Sequence, residues 1–536
     1  MMIHQAVSAD SFIDTIGINT HLHYTDTVYK DFVGTIKPSL IDLGVRHLRD
    51  GAKTYDGINE DTFFYKRVRA LAAEGMQFTF ITTSLDTPWT TTTNYGLLDE
   101  VYEWSDGAIA AFEGVNEPDI QGVESWIPAT LLGQQDLYDA VQADPDLQGL
   151  PIVGPSIVNF QNLDDVGDLS DLIDFGNIHN YYAGRHPETT GWGDDGYGSL
   201  AWHMAQAFTL SGDDPIMATE TGWHNTVDGD GNYVGVPQDV EAKYIPRLFL
   251  THFNAGIART FLYELIDLQD RPTHRESNFG LLNHDGTPQP GYDALQNLVE
   301  ILEDPGPQFD PVPLGFALQG DTDDVHQTLL QKRDGSYFLA LWLGKASWDP
   351  NAKSPIDVPS QTVTIELPDG FNQATLHQFG ADGQVQVTDE TVVEDKLTLS
   401  VGDTVTLVEL SAPDAYRPVV ESPSIEASLT QSQSDPPSRI DASLHAAMSS
   451  AMTATAPEAD PLLVTIPGFD AFSSNPETVG LFQAHLSTMP KFEGMPLDFV
   501  VRGSAEPFSY VDDAGLFLNS LSTDIYVPGD IGTSSA

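Results

Sequence analysis

Cysteine is absent from the 536 residues. That excludes disulfides, thiolate catalysis and Cys-ligated zinc, and it leaves the redox compartment undetermined. Basic side chains are scarce: 23 Lys and Arg stand against 79 Asp and Glu, a formal net charge of −56. So acidic a chain repels nucleic acid and anionic membrane surfaces, and neither is expected as a partner. A neutral ligand is the simpler expectation, because a polyanion would need local basic pockets that few cations can supply. No apolar run approaches a transmembrane span. The opening Met1-Met2-Ile3-His4-Gln5 carries no basic segment followed by an apolar one, so no signal peptide is visible. Low Lys content and absent Cys suit an extracellular or secreted protein exported through a C-terminal signal, although the Gly/Asp nonapeptide repeats that often accompany that route are missing. A monomer is expected.

What is present is globular in character, with 40% hydrophobic and 10% aromatic residues. The length exceeds one compact domain, so two ordered domains and some looser sequence are expected. From Asp14 to about Glu303, short β-branched or apolar runs alternate with longer amphipathic stretches. This is the βα alternation of a parallel sheet covered by helices. Eight candidate strands follow: Thr15 to Thr20, Val45 to Arg49, Gln77 to Thr82, Ile109 to Val115, Ile152 to Gly154, Asn177 to Asn180, Ile216 to Glu220 and Thr260 to Glu264. Helical spacing is clear over Tyr29 to Leu43, Thr62 to Ala73 and Gln238 to Asn254. The sum is a (β/α)8 TIM barrel, expected over residues 1–306.

Past Pro307 the period changes to two, as in Ser336 to Trp342 and Thr362 to Leu367, with Gly, Asp and Pro at the turns. An antiparallel β-sandwich domain is expected over 307–411, with a buttressing role preferred to sugar binding. Residues 412–460 are rich in Ser, Pro, Ala and Asp and are expected to be a disordered linker. The low-complexity C-terminal extension closes with 461–536, whose apolar clusters fit either a few strands or an export signal.

The chemistry concentrates at strand ends. Phe112-Glu113-Gly114-Val115-Asn116-Glu117-Pro118-Asp119 ends the fourth candidate strand, and Met217-Ala218-Thr219-Glu220-Thr221-Gly222-Trp223 ends the seventh. Active sites of barrel enzymes lie at that end of the strands. Strands four and seven face each other across the mouth, so Glu117 and Glu220 can converge on one sugar, with Asn116 placed to bond a hydroxyl. Glycoside hydrolysis needs such a pair: one carboxyl protonates the leaving oxygen and the other attacks or activates water. Taken alone, either motif is an ordinary acidic turn.

Together these motifs resemble glycoside hydrolase clan A, the retaining barrel glycosidases, in the manner of families 5 and 39. The resemblance covers about the first 300 residues. It implies Glu117 as acid/base and Glu220 as nucleophile, in a reaction that uses no cofactor and no metal, on a carbohydrate that is a β-linked oligo- or polysaccharide. It also implies that Arg49 keeps the nucleophile ionised, that His179 belongs to the substrate site and that Tyr181 hydrogen-bonds the nucleophile. Opposite charge on Arg49 would lower the carboxyl pKa of Glu220, leaving Glu117 to deliver the proton. Taken singly, Arg49 reads equally well as a structural ion pair with Asp50 or Glu113, and His179 as a core histidine. The pattern departs from the group at strand eight, where Leu262-Tyr263-Glu264-Leu265 stands in place of a Trp platform. Glu264 is therefore a candidate for binding a hydroxyl or a cationic group. His21 and His23 end strand one and are candidates for sugar binding, as is Trp223; Trp89, Trp126 and Trp192 are further loop aromatics, of which at least half are expected to pack. Asp228-Gly229-Asp230-Gly231-Asn232 has the opening of a calcium loop, but Tyr233 stands where the turn needs Gly, so a solvated hairpin tip is preferred. Two rivals remain: a transglycosylase on the same scaffold, and a non-catalytic carbohydrate-binding protein.

Overall fold

The computed structural model describes residues 1–87, 91–228 and 234–418, together with four short strands at 462–465, 500–502, 517–519 and 524–527. Trp89, all but residues 412–418 of the proposed linker, most of the C-terminal extension and all but Asp228 of the calcium-like loop lie outside the described residues.

Eight parallel strands form the barrel: β1 (Ile16–Asn19), β2 (His47–Gly51), β3 (Gln77–Ile81), β4 (Ile109–Glu113), β5 (Ile152–Val153), β6 (Gly176–His179), β7 (Ile216–Thr221) and β8 (Arg259–Leu262). β8 returns to pair with β1, in the register Thr260 to Ile16. The remaining seam, between β5 and β6, is held by a single parallel bridge from Val153 to Phe175. All eight expected strands are present, with ends shifted by one or two residues. They are buried on both faces, which is why they read as continuous apolar runs rather than alternating ones. At Gly17 a Cβ would stand 2.4 Å from the Phe261 ring, so the tight β1/β8 approach requires glycine.

Two of the expected helices match closely, at Phe63–Ala72 and Gln238–Asn254. The run from Tyr29 to Leu43 does not form one helix. It divides into a 3-10 turn (Val28–Lys30), a π turn (Phe32–Ile36) and an α-helix (Lys37–Leu43). Asp31 breaks it, accepting from Gly34 N and Thr35 Oγ1, and Pro38, which has no N–H to give, restarts it.

The second domain packs a four-stranded sheet on a six-stranded one. The chain contributes to both before the barrel begins: Met2–His4 pairs antiparallel with Leu314–Phe316, and Val7–Ser8 pairs parallel with Leu330–Gln331. Strand Tyr337–Leu343 is buried at every position. Its odd-numbered side chains enter the sandwich core and its even-numbered ones, Phe338, Ala340 and Trp342, join the barrel core. Trp342 Nε1 donates to Glu188 Oε1 at 2.6 Å, and Arg247 pairs with the same carboxylate while donating to the Asp403 carbonyl. One strand thus clamps the sandwich to helix Gln238–Asn254. The four C-terminal strands form a sheet of their own. Among the described residues no helix is long and apolar enough to cross a membrane.

Candidate active site

Polar side chains line the C-terminal end of the barrel because each sits in the last half of its strand or just beyond it. Arg49 on β2 is buried, and a buried guanidinium must have its donors filled. Its Nε and Nη2 donate to the two oxygens of Glu113 at 2.6 and 2.7 Å, and its Nη1 donates to Glu220 Oε1 at 2.7 Å and Asn19 Oδ1 at 2.9 Å. Nη2 also reaches Asn116 Oδ1 at 2.6 Å. Arg49 is thus placed against Glu113 and the β7 carboxylate together; Asp50 is occupied elsewhere, by Thr20, the Leu22 N–H and His23.

Glu220 receives a second donor, Tyr181 Oη at 2.8 Å. Burial alone pushes its carboxyl pKa up, but His179, Arg49 and the Tyr181 hydroxyl outweigh it and hold the group below the usual carboxylate range. Burial, reinforced by the charge of Glu220, pushes the Tyr181 hydroxyl well above its ordinary value, so it remains a donor.

Glu117 stands just past β4 with left-handed backbone, φ 44° and ψ 49°, an unfavourable region for a side chain with a Cβ. Ser156 Oγ accepts from its backbone N–H at 2.9 Å, and Pro118 follows. That turn aims the carboxyl at His179, whose Nδ1 is 2.8 Å from Glu117 Oε1 and 3.6 Å from Glu220 Oε2. The other ring nitrogen is 3.0 Å from Thr219 Oγ1. Thr219 has one proton and directs it to Asn177 Oδ1 at 2.7 Å, with Glu113 Oε1 at 3.2 Å. Its oxygen therefore accepts from His179 Nε2, which leaves Nδ1 to share a proton with Glu117. Burial lowers the His179 pKa, but Glu220 and Glu117 outweigh it and raise it above the ordinary value.

One oxygen each of Glu117 and Glu220 and a ring nitrogen of His179 lie within 4.8 Å of one another. Such a donor set can hold a divalent ion. Here, though, Arg49 already occupies a Glu220 oxygen, and a second cation beside a guanidinium would be repelled. The arrangement suits proton transfer and nucleophilic attack: one carboxylate held ionised, and another coupled to a histidine.

The structure gathers Glu117, Glu220, Arg49, Asn116, His179 and Tyr181. His21 lies beside them, near enough to Glu220 for its charge to act. His21 Nε2 is 3.1 Å from Glu264 Oε2, and its ring stacks on Tyr24 at 4.6 Å. His23 turns to Asp50 at 3.5 Å. Two expected substrate contacts are corrected. Glu264 is wholly buried, pushed to a raised pKa by that burial, and faces His21 rather than solvent. Trp223 is 2% exposed, donates Nε1–H to the Arg185 carbonyl at 2.8 Å and stacks on Tyr182. Both its edge and a face are spent inside the core, so it offers no platform. Trp126 packs partly on the core, and Trp192 lies under the Arg185 guanidinium at 4.4 Å.

Sequence reading missed the supporting layer of Asn19, Asn177 and Thr219, and missed Tyr263. Tyr263 follows β8, half-buried, between His21 at 5.8 Å and Phe279 at 5.4 Å, at the place where a Trp platform is expected. No strand pattern marked it, because it lies just past the last residue of β8, where alternation no longer assigns a side.

No protein-family model and no curated protein matches the sequence. Solved structures do. A family 39 glycoside hydrolase from Bacteroides cellulosilyticus WH2 superposes with TM-score 0.51 at 18% identity, covering 76% of this chain and 82% of that one. A glucosidase from Croceicoccus marinus gives TM-score 0.51 at 12% identity, covering 77% and 99%. This fold is shared with glycoside hydrolases. At the level of the fold, the likeness to clan A drawn from the two strand-end motifs is borne out, and the 76% of the chain that is covered exceeds the stretch of about 300 residues on which that likeness was based.

Proposed function

We propose that the chain is a retaining glycoside hydrolase that cleaves O-glycosidic bonds in a β-linked oligo- or polysaccharide by double displacement. The observation that carries this reading is the approach of Glu117 and Glu220, oxygen to oxygen within 4.8 Å, at the C-terminal end of the barrel. Retaining enzymes need carboxyls about 5–5.5 Å apart, whereas inverting ones leave about 6.5–9.5 Å for a water. The two structural neighbours, a glycoside hydrolase and a glucosidase, point to the same substrate class.

In the first half-reaction Glu220 attacks the anomeric carbon while Glu117 passes its proton to the glycosidic oxygen. The C–O bond to the leaving sugar breaks and an ester to Glu220 forms. Arg49 and Tyr181 hold the attacking carboxylate in place. Once the ester forms, Glu220 no longer carries charge. Glu117, now a carboxylate beside His179, takes a proton from water, which attacks the anomeric carbon and releases Glu220. No metal or organic cofactor enters either half.

The test is to screen aryl glycosides and labelled polysaccharides, then follow the anomer of the first product by NMR. Retention of configuration is expected. An inverted first product would sink the double displacement, and no turnover on any glycoside would sink the enzyme assignment.

A further inference from the structure

A cavity of about 370 Å³ opens on the flank of the barrel mouth, between the segment that follows β5 and the helix Leu200–Ser211. Its volume falls in the range of small-molecule sites, roughly 300–1,000 Å³. The helix presents Trp202, Gln206 and Thr209 to it, at spacings of four and three that share one face. The opposite wall brings Asn159, Phe160 and Asp164. Three rings meet there nearly at right angles: Phe160 and Trp202 with centroids 4.5 Å apart at 76°, and Tyr197 and Trp202 at 4.7 Å and 62°. Tyr197 is 42% exposed, an apolar ring left to solvent beside amides and a carboxylate.

We infer that this cavity is an accessory binding site for a pyranose unit of a neutral oligosaccharide, distinct from the catalytic pocket. The inference rests on the carbohydrate reading above for its ligand class. Three features support it. Aromatic rings beside amide, hydroxyl and carboxylate groups match a ligand that is apolar on its ring faces and hydroxylated at its edges. Among the described residues no basic side chain lines the cavity, which gives an anionic ligand no cation there to pair with. The lining segment is also tied to the catalytic turn at two points. Ser156 Oγ accepts from Glu117 N at 2.9 Å, and Asp119, two residues beyond Glu117, accepts from the N–H groups of Val158 and Asn159 at 3.2 and 2.7 Å and from Asn162 Nδ2 at 3.2 Å. An oligosaccharide bound there lies against the same segment that positions Glu117, which makes the cavity an extension of the active-site face.

The experiment uses the full chain carrying Glu220→Gln, titrated against neutral β-1,3- and β-1,4-linked gluco-oligosaccharides of two to six units by calorimetry. Tyr197→Ala and Gln206→Ala are added separately to that background. Tyr197 is solvent-facing and Gln206 is partly exposed, so neither change empties the core. Each is expected to weaken binding of the longer oligosaccharides by about fivefold, the equivalent of one lost aromatic or polar contact. In the active chain, both substitutions should leave kcat/KM on an aryl monoglycoside unchanged. Equal affinities with and without Tyr197 and Gln206, or no binding of any oligosaccharide, would overturn the inference. The proposed function fails separately: oligosaccharide binding that depends on Tyr197 with no hydrolysis of any glycoside would leave the accessory site standing and remove the enzyme.

Discussion

Arg49 donates Nη1 to Glu220 at 2.7 Å while its other two nitrogens grip both oxygens of Glu113. Glu113 therefore sets the plane of the guanidinium, and the guanidinium sets one oxygen of Glu220. A fork with fixed geometry can serve two carboxylates in this way, and a point charge cannot. Leaving Glu113 buried without that partner would also strand a carboxylate in the barrel interior.

Arg49→Lys should accordingly cost more than the charge it preserves. We expect kcat/KM to fall by roughly a hundredfold or more as Glu220 loses its orientation. Glu220 is a group whose folded pKa is depressed, so its reactive form is lost as pH falls through that value. Weakening its cation raises the pKa, and the acid limb of the kcat/KM profile should move to higher pH. A profile that drops in height without moving would mean that Arg49 does not act on Glu220 ionisation.

The two glutamates separate by leaving group. Glu220→Ala removes the attacking carboxylate and should abolish turnover on every glycoside. Glu117→Ala removes the proton donor, a contribution of about 10²- to 10⁴-fold. That loss should fall on substrates with alkoxide leaving groups and spare the first step on activated aryl glycosides. Pre-steady-state measurement of aryl release in Glu117→Ala is the decisive assay; equal losses on sugar and aryl leaving groups would reverse or remove the assigned roles.

The barrel was legible in the sequence because each strand is an apolar run bounded by turns, and the two glutamates because each closes such a run. Arg49, His179 and Tyr181 were reached through the likeness to a known group, and the structure brings them to within hydrogen-bonding distance of the two acids. What could not be read was which side chains at a strand end face the pocket. Glu264 and Tyr263 are neighbours just past the end of β8, where strand alternation no longer fixes which side chain faces the site. The supporting layer was hidden for another reason. Asn19, Asn177 and Thr219 stand among other polar residues at the strand ends, and the sequence does not mark which of those turn inward to support the site. The sandwich's use of Met2–His4 was illegible too, because pairing across some three hundred residues leaves no local trace.

Trp223 gives a prediction that distinguishes core from platform. With its indole N–H bonded and its ring stacked on Tyr182, Trp223→Ala should destabilise the fold by about 3–5 kcal/mol, the usual cost of emptying a large aromatic site. Chemical denaturation reads that loss. Below the transition, KM for an aryl monoglycoside should change less than about twofold, since uniform substrate binding is untouched. A large rise in KM with unchanged stability would return Trp223 to the sugar.

Stability should also depend on pH through two carboxyls remote from catalysis. Glu241, buried in the first turn of helix Gln238–Asn254, accepts one hydrogen bond from Asn225 Nδ2 at 2.8 Å. Burial pushes its pKa to about 8, and burial pushes that of Asp267 to about 7. For a group whose folded pKa is raised, the folded state keeps a proton that the unfolded chain has released. The associated stability is complete below the unfolded value of 4.5 and is lost progressively as pH rises to about 8. Each pKa unit is worth about 1.4 kcal/mol, so the change is on the order of a few kcal/mol. Self-repulsion among the many carboxylates acts in the same direction, and a single melting curve therefore does not isolate Glu241. The difference between the chain and Glu241→Gln does: the amide keeps an acceptor for Asn225 without the ionisable proton. The variant should gain stability relative to the parent steadily from pH 5 to pH 8, and denaturant unfolding at four or five pH values measures it. Parallel curves across that window would show that Glu241 ionises alike in both states, and that its burial is not what sets its charge.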